Sequence, residues 1–194
     1  MSCFNVLVVC TANHCRSPMA AQFLRSASQG RFGAGHWDIQ SAGTDVDAGR
    51  PLHQFAEAVL VERSSFFPGH GAVALTRESI LAADLILTAA REHRARVVTM
   101  APAAIGRSFT ILQFARLVNQ VTTITSSDAE ELGRVLVVEA KFARGTLQPI
   151  PPDEDDLPDP MGRPLPAFRE CADRLQDAVG RILRPLQLSP PPGE

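Results

Sequence analysis

The sequence predicts an α/β protein of three layers, with a central, mainly four-stranded parallel sheet covered by helices on both faces. Three observations carry that expectation. Short apolar runs rich in β-branched residues recur along the 194 residues, the first being Phe-Asn-Val-Leu-Val-Val at 4–9. Their apolar side chains continue without the alternation of a half-exposed strand, so they read as strands buried on both faces. Between them lie stretches whose apolar residues recur with the helical period. Strands that alternate with helices pair in parallel, because a helical crossover returns the chain to the same end of the sheet.

The elements follow in order. After the strand at 4–9 a polar turn leads to Ser17-Pro18. Pro18 suits the first position of a helix, where its missing N–H has no partner to lose. Met19, Ala20, Phe23, Leu24 and Ala27 then form one apolar face. A second strand at 37–40 is closed by Ser41-Ala42-Gly43-Thr44, and Leu52, Phe55, Ala56, Val59 and Leu60 mark an amphipathic helix. A third strand is expected at 83–88, a polar helix from about Arg91, and a fourth short strand at either 97–100 or Phe109. Residues 111–118 and 129–140 have helical periodicity. Residues 145–166 are rich in proline and acid and read as a long loop, since proline removes helix and ladder donors. From Phe168 to Leu186 runs the cleanest helical stripe. The expected organisation is one domain over 1–188 and a disordered tail over 189–194.

Composition narrows the function. A formal net charge of -2 gives no basic footprint for nucleic acid. No apolar run approaches the roughly 20 residues of a membrane span, and no basic stretch precedes the first apolar run as in a signal peptide. A cytoplasmic location is expected. Of the four cysteines, none form a Cys-x2-Cys pair, and the five histidines lack ligand-like spacing to them. Neither metal nor cofactor is expected, and structural disulfides are not favoured in such a chain.

The segment Cys10-Thr11-Ala12-Asn13-His14-Cys15-Arg16-Ser17 carries the chemistry. A cysteine six before an arginine is by itself common, and a cysteine at a strand end is often just a buried residue. The context points further. A loop that joins a buried strand to a helix N-terminus directs N–H groups and the positive end of the helix dipole at one spot, where an oxyanion fits. Arg16 can grip two oxygens with its planar fork. Cys10, at the base of this electropositive cradle, becomes a thiolate nucleophile beneath the bound phosphorus. Ser17 can donate to the sulfur when it leaves.

The run from Cys10 to Pro18 resembles the signature of the low-molecular-weight protein tyrosine phosphatases, a family that also includes some arsenate reductases. Ser41-Ala42-Gly43-Thr44, His70 ahead of Thr76, residues 83–87 and Asp159-Pro160 match further segments in the family's order. The resemblance implies that Cys10 attacks phosphorus to form a cysteinyl-phosphate and that Arg16 stabilises the transition state. It implies that Asp159 protonates the leaving oxygen and then deprotonates water. Thr11, Ala12, Asn13, His14, Cys15 and Ser17 would surround the phosphate, with Asn13 in a left-handed conformation braced by Ser17, Ser41 and His70. Met161 would line the substrate slot, and Cys15 would close reversibly on an oxidised Cys10. The partner is then a phosphorylated protein or small aryl phosphate, with phosphate or another oxyanion in the loop.

Several positions depart from the pattern. Ala12 stands where glycine is usual, and His14 replaces a small or apolar residue and could bring charge to the mouth. The chain has no tyrosine, Met161 takes the place of an aromatic after Asp159-Pro160, and residues 45–50 contain no aromatic. The acids at 153–156 are expected to be solvated, and their charge favours a protonated Asp159. Two other functions use the same loop: arsenate reduction with an external low-molecular-weight thiol, and non-catalytic phosphate binding.

Overall fold

The computed structural model of the chain describes residues 3–148 and 150–189. Among these, β1 (Phe4–Cys10), β2 (Trp37–Gly43), β3 (Leu85–Thr88) and β4 (Ser108–Thr110) form a parallel sheet in the order β2-β1-β3-β4. The helices are α1 (Arg16–Phe32), α2 (Gln54–Glu62), α3 (Arg77–Ala82), α4 (Arg91–Met100), α5 (Ile111–Val118), α6 (Ala129–Thr146) and α7 (Leu165–Leu183). A second, two-stranded parallel sheet pairs β5 (Ile124–Ser126) with β6 (Leu186–Leu188).

Alternate side chains of β1 feed two cores, as the pleat of a strand requires. Phe4, Val6 and Val8 face a large core shared with Met19, Phe23, Phe114 and Phe168 from α1, α5 and α7. Leu7 and Val9 face a smaller one with Ile80 and Val97 from α3 and α4. The start of β1 is pressed by α6: a Cβ at Gly133 would lie 2.7 Å from the Phe4 ring. The strand order places the switch point between β1 and β3, so the segments that leave their carboxyl ends border one crevice.

Several elements differ from the sequence expectation. Helix α1 begins at Arg16, two residues earlier than expected, so Pro18 is its third residue. No hydrogen bond is lost, because the first four helical N–H groups have no partner within the helix. The second strand runs on to Gly43, and the third starts only at Leu85. Residues 97–100 are helical, and the fourth strand is the one at Phe109. The expected helix at 129–140 continues to Thr146. Helix α3 was not expected, although Thr76 caps it through a reciprocal pair with Ser79. Leu186 lies beyond α7, in β6, because Pro185 O accepts from Ile124 N–H and turns the chain into the second sheet. Ser189 N–H donates to Ser126 O, and the rest of the expected tail lies outside the described residues. No helix among the described residues is long and apolar enough to cross a membrane.

Candidate active site

The turn between β1 and α1 holds Cys10 at the end of its strand and Arg16 in the first helical turn. Cys10, Asn13, His14, Cys15, Arg16 and Ser17 are all buried, and Thr11 and Ala12 form the partly open rim. Positive φ falls on Asn13, at 50°, and Ala12 avoids it. Asparagine tolerates this region better than most residues, so alanine in the usual glycine position costs no strain here.

Asn13 is the hub of the turn. Its Nδ2 donates to Ser17 Oγ and to Ser41 Oγ, both at 2.9 Å. Its Oδ1 accepts from Val73 N–H at 2.9 Å, and its carbonyl accepts from His70 Nε2–H at 2.8 Å. Thr44 and Asp45 N–H donate to the carbonyls of Cys10 and Thr11. The turn lies so close to β2 that a Cβ on Gly43 would be 2.5 Å from Thr11 O and 2.8 Å from Asn13 N. Ser17 Oγ lies 3.0 Å from Cys10 Sγ and 3.2 Å from Ala42 O. Having accepted from Asn13, its one proton can pass to the sulfur when the sulfur is charged.

Arg16 joins this turn to the far end of the chain. Its Nη2 donates to Asp159 Oδ2 at 2.5 Å and to Thr11 Oγ1 at 3.2 Å, and its Nη1 to Leu157 O at 3.4 Å. Asp159 belongs to the surface segment between α6 and α7, and Met161 N–H donates to its Oδ1. Met161 itself is exposed.

Two expectations about charge are corrected. His14 does not bring charge to the mouth: burial pushes it below its ordinary 6.5, its Nδ1–H donates to Pro51 O, and His53 packs edge-on against it. The acids before Asp159 are not all solvated. Asp155 is buried against Arg116, while Asp156 binds Arg91 through its side chain and backbone N–H. The side chain of Asp153 lies outside the described residues. Cys15 sits in the large core rather than on the rim, and burial drives its thiol well above the ordinary range. Cys171 on α7 is pushed to about 12 by the same cause.

One residue escaped the sequence reading. His93, in the first turn of α4, is buried and places Nε2 2.9 Å from Thr11 Oγ1. Its place just after a strand that borders the switch point is the signal that would have found it. Thr11, Thr44, Glu92, His93 and Arg96 line an open cleft of about 320 Å³ beside the turn.

Comparison with known proteins supplies an independent view. The family model for low molecular weight phosphotyrosine protein phosphatase matches residues 5–135. A protein-arginine-phosphatase of Geobacillus stearothermophilus is 26% identical over 184 residues, covering 95% of this chain and 97% of that protein. The low molecular weight protein-tyrosine-phosphatase Etp of Escherichia coli is 34% identical over 104 residues, covering 54% of this chain and 66% of that protein. Among solved structures, the low molecular weight protein tyrosine phosphatase of T. tengcongensis superposes with a TM-score of 0.68 at 26% identity, over 93% of this chain and 98% of that one. Asp159 lies beyond the matched residues of the family model, so its place rests on the contact with Arg16.

Proposed function

The chain belongs to the low-molecular-weight phosphotyrosine protein phosphatase family and is a phosphomonoester hydrolase of that type, and we propose that Cys10, Arg16 and Asp159 carry the reaction. Cys10 thiolate attacks phosphorus while the P–O bond to the leaving group breaks and Asp159 gives that oxygen its proton. Arg16, together with the N–H groups of the turn, stabilises the charge on the phosphoryl oxygens. Water then attacks the cysteinyl-phosphate, Asp159 takes its proton, and phosphate leaves with Cys10 restored as the thiolate. Ser17 donates to the departing sulfur. The observation that supports this reading is the 2.5 Å contact of Arg16 with Asp159, which joins an acid from 143 residues away to the arginine of the turn. Hydrolysis of para-nitrophenyl phosphate by the wild type, and none by Cys10→Ser, tests it. Arsenate with added thiols, as a parallel substrate, tests the reductase alternative.

A second reading concerns the leaving group. The aromatic walls suited to phosphotyrosine are missing: Met161 is exposed at one side, and residues 45–50 hold no aromatic. The cleft beside the turn is lined instead by Thr11, Thr44, Glu92, His93 and Arg96. Such polar walls suit a guanidinium better than a phenyl ring, and the protein-arginine-phosphatase aligns with nearly the whole chain. Phosphoarginine is therefore proposed as a substrate beside phosphotyrosine, with Asp159 protonating nitrogen as the P–N bond breaks. The ratio of kcat/KM on matched phosphoarginine and phosphotyrosine peptides decides between them. A cytoplasmic location is part of the same proposal, in keeping with four free cysteines. So is reversible closure of Cys15 on oxidised Cys10, which peptide mass spectrometry after peroxide reads directly.

A further inference from the structure

Thr11 Oγ1 has two lone pairs and one proton. Arg16 Nη2–H donates to it at 3.2 Å. The second neighbour is His93 Nε2, at 2.9 Å, and the tautomer of that ring settles the direction of the bond. Ala90 N–H donates to His93 Nδ1 at 3.1 Å, so Nδ1 carries the lone pair. In a neutral imidazole the proton is then on Nε2, and Nε2–H donates to Thr11. A ring whose Nδ1 accepts that bond is not the imidazolium, and burial and, next, the Arg16 guanidinium lower its pKa and so favour the neutral form, against the opposing pull of Glu92 and Asp159. Glu92 Oε1 also lies 3.5 Å from Nε2, which orients the same proton-bearing edge.

Both lone pairs of Thr11 are thereby filled, and its own proton must go elsewhere. Among the described residues no protein acceptor takes it. Thr11 stands on the rim beside the guanidinium that would hold phosphoryl oxygens, and it faces the open cleft. We propose that His93 is a positioning residue for catalysis: its Nε2–H fixes the Thr11 hydroxyl so that the Thr11 proton donates to the substrate oxygen bound by Arg16. A donor aimed in advance costs no reorganisation as charge develops on that oxygen. The inference rests on Cys10 being the nucleophile of this turn.

The simpler role for His93 is to cap α4 by accepting Ala90 N–H. Two substitutions separate the roles. His93→Asn keeps a side-chain acceptor for Ala90 N–H and is too short to reach Thr11. His93→Gln is long enough for its amide N–H to reach Thr11. With para-nitrophenyl phosphate, His93→Asn is expected to lower kcat about tenfold with KM within about twofold, as for loss of one oriented neutral donor. His93→Gln is expected to restore most of it. Thr11→Val is expected to lose a similar factor, and Thr11→Val/His93→Asn no more than either alone, because both remove one donor. Wild-type kcat in His93→Asn, or losses that multiply to about a hundredfold in the double variant, would overturn the proposal. Activity in wild type that vanishes in Cys10→Ser tests the underlying reading separately, so the two can fail independently.

Discussion

Residues 10–17 and residues 147–164 supply the two halves of the proposed chemistry and are held in opposite ways. In the first, Asn13 bonds to Ser17, Ser41, Val73 and His70, the residues from Asn13 to Ser17 are all buried, and the Arg16 side chain is 7% exposed. In the second, Asp159 has a side chain 43% exposed. Its segment is pinned where Asp155 meets Arg116, Asp156 meets Arg91, and Leu157 N–H donates to Ala89 O. The difference follows from the tasks. A cradle must keep one geometry through both steps, so it is buried and cross-braced. An acid that first gives a proton to the leaving group and later takes one from water must reach solvent, so it stays half exposed and is held by single contacts, Arg16 on Oδ2 and Met161 N–H on Oδ1, between its pinned flanks.

The largest effect is expected within the cradle. Cys10→Ser should lower kcat by about 10⁴-fold or more, as loss of a nucleophile does. Phosphate affinity, read by calorimetry, should change by no more than a few-fold, since the sulfur is not among the groups that grip the oxygens. Asp159→Asn comes next: about 10²-fold on phenyl phosphate and clearly less on para-nitrophenyl phosphate, whose leaving group needs little help. Equal losses on both esters would make Asp159 a loop residue only.

Stability should separate the regions as well. Asn13→Ala removes the hub of the turn and puts a Cβ-bearing residue without a polar side chain at positive φ, at a cost of about 2–4 kcal/mol in urea unfolding. Arg116→Gln strips the charge partner of buried Asp155 and should cost about 1–3 kcal/mol. Its kcat should fall only a few-fold, with phosphate affinity unchanged. Were Arg116→Gln to weaken phosphate binding as much as Asn13→Ala, the two regions would not be independently held.

The smallest expected effect is the pH dependence of stability. His14, His53 and His93 all sit below 6.5 in the folded chain, burial being the first cause for each. The unfolded chain binds these protons more readily. Their contribution is therefore complete above about pH 6.5 and is lost as the pH falls through the folded values. Urea midpoints should drop between pH 7 and pH 5, and less steeply in His14→Gln. An unchanged slope would remove His14 from the account.

Much of this molecule is decided locally and was open to reading from the chain. The apolar run of β1, the periodicity of α5 and α7, and the proline-rich break before α7 each depend on neighbours a few positions apart. The Cys10 to Ser17 turn belongs with them, because a strand feeding a helix makes an anion site by itself. Even α3 left a mark in Thr76 and Ser79, although six residues are too few for periodicity to show. Other features exist only through the fold. His93 reaches Thr11 across 82 residues because β1 and β3 are neighbours in the sheet, and the periodicity of either strand says nothing about that pairing. Asp155 is buried and His14 is held below its ordinary pKa because of what packs over them, while acids in a proline-rich loop and a histidine in a polar turn would ordinarily face water. Strand and helix come from short-range pattern and sterics; partner, burial and charge state come from the order in which the strands assemble.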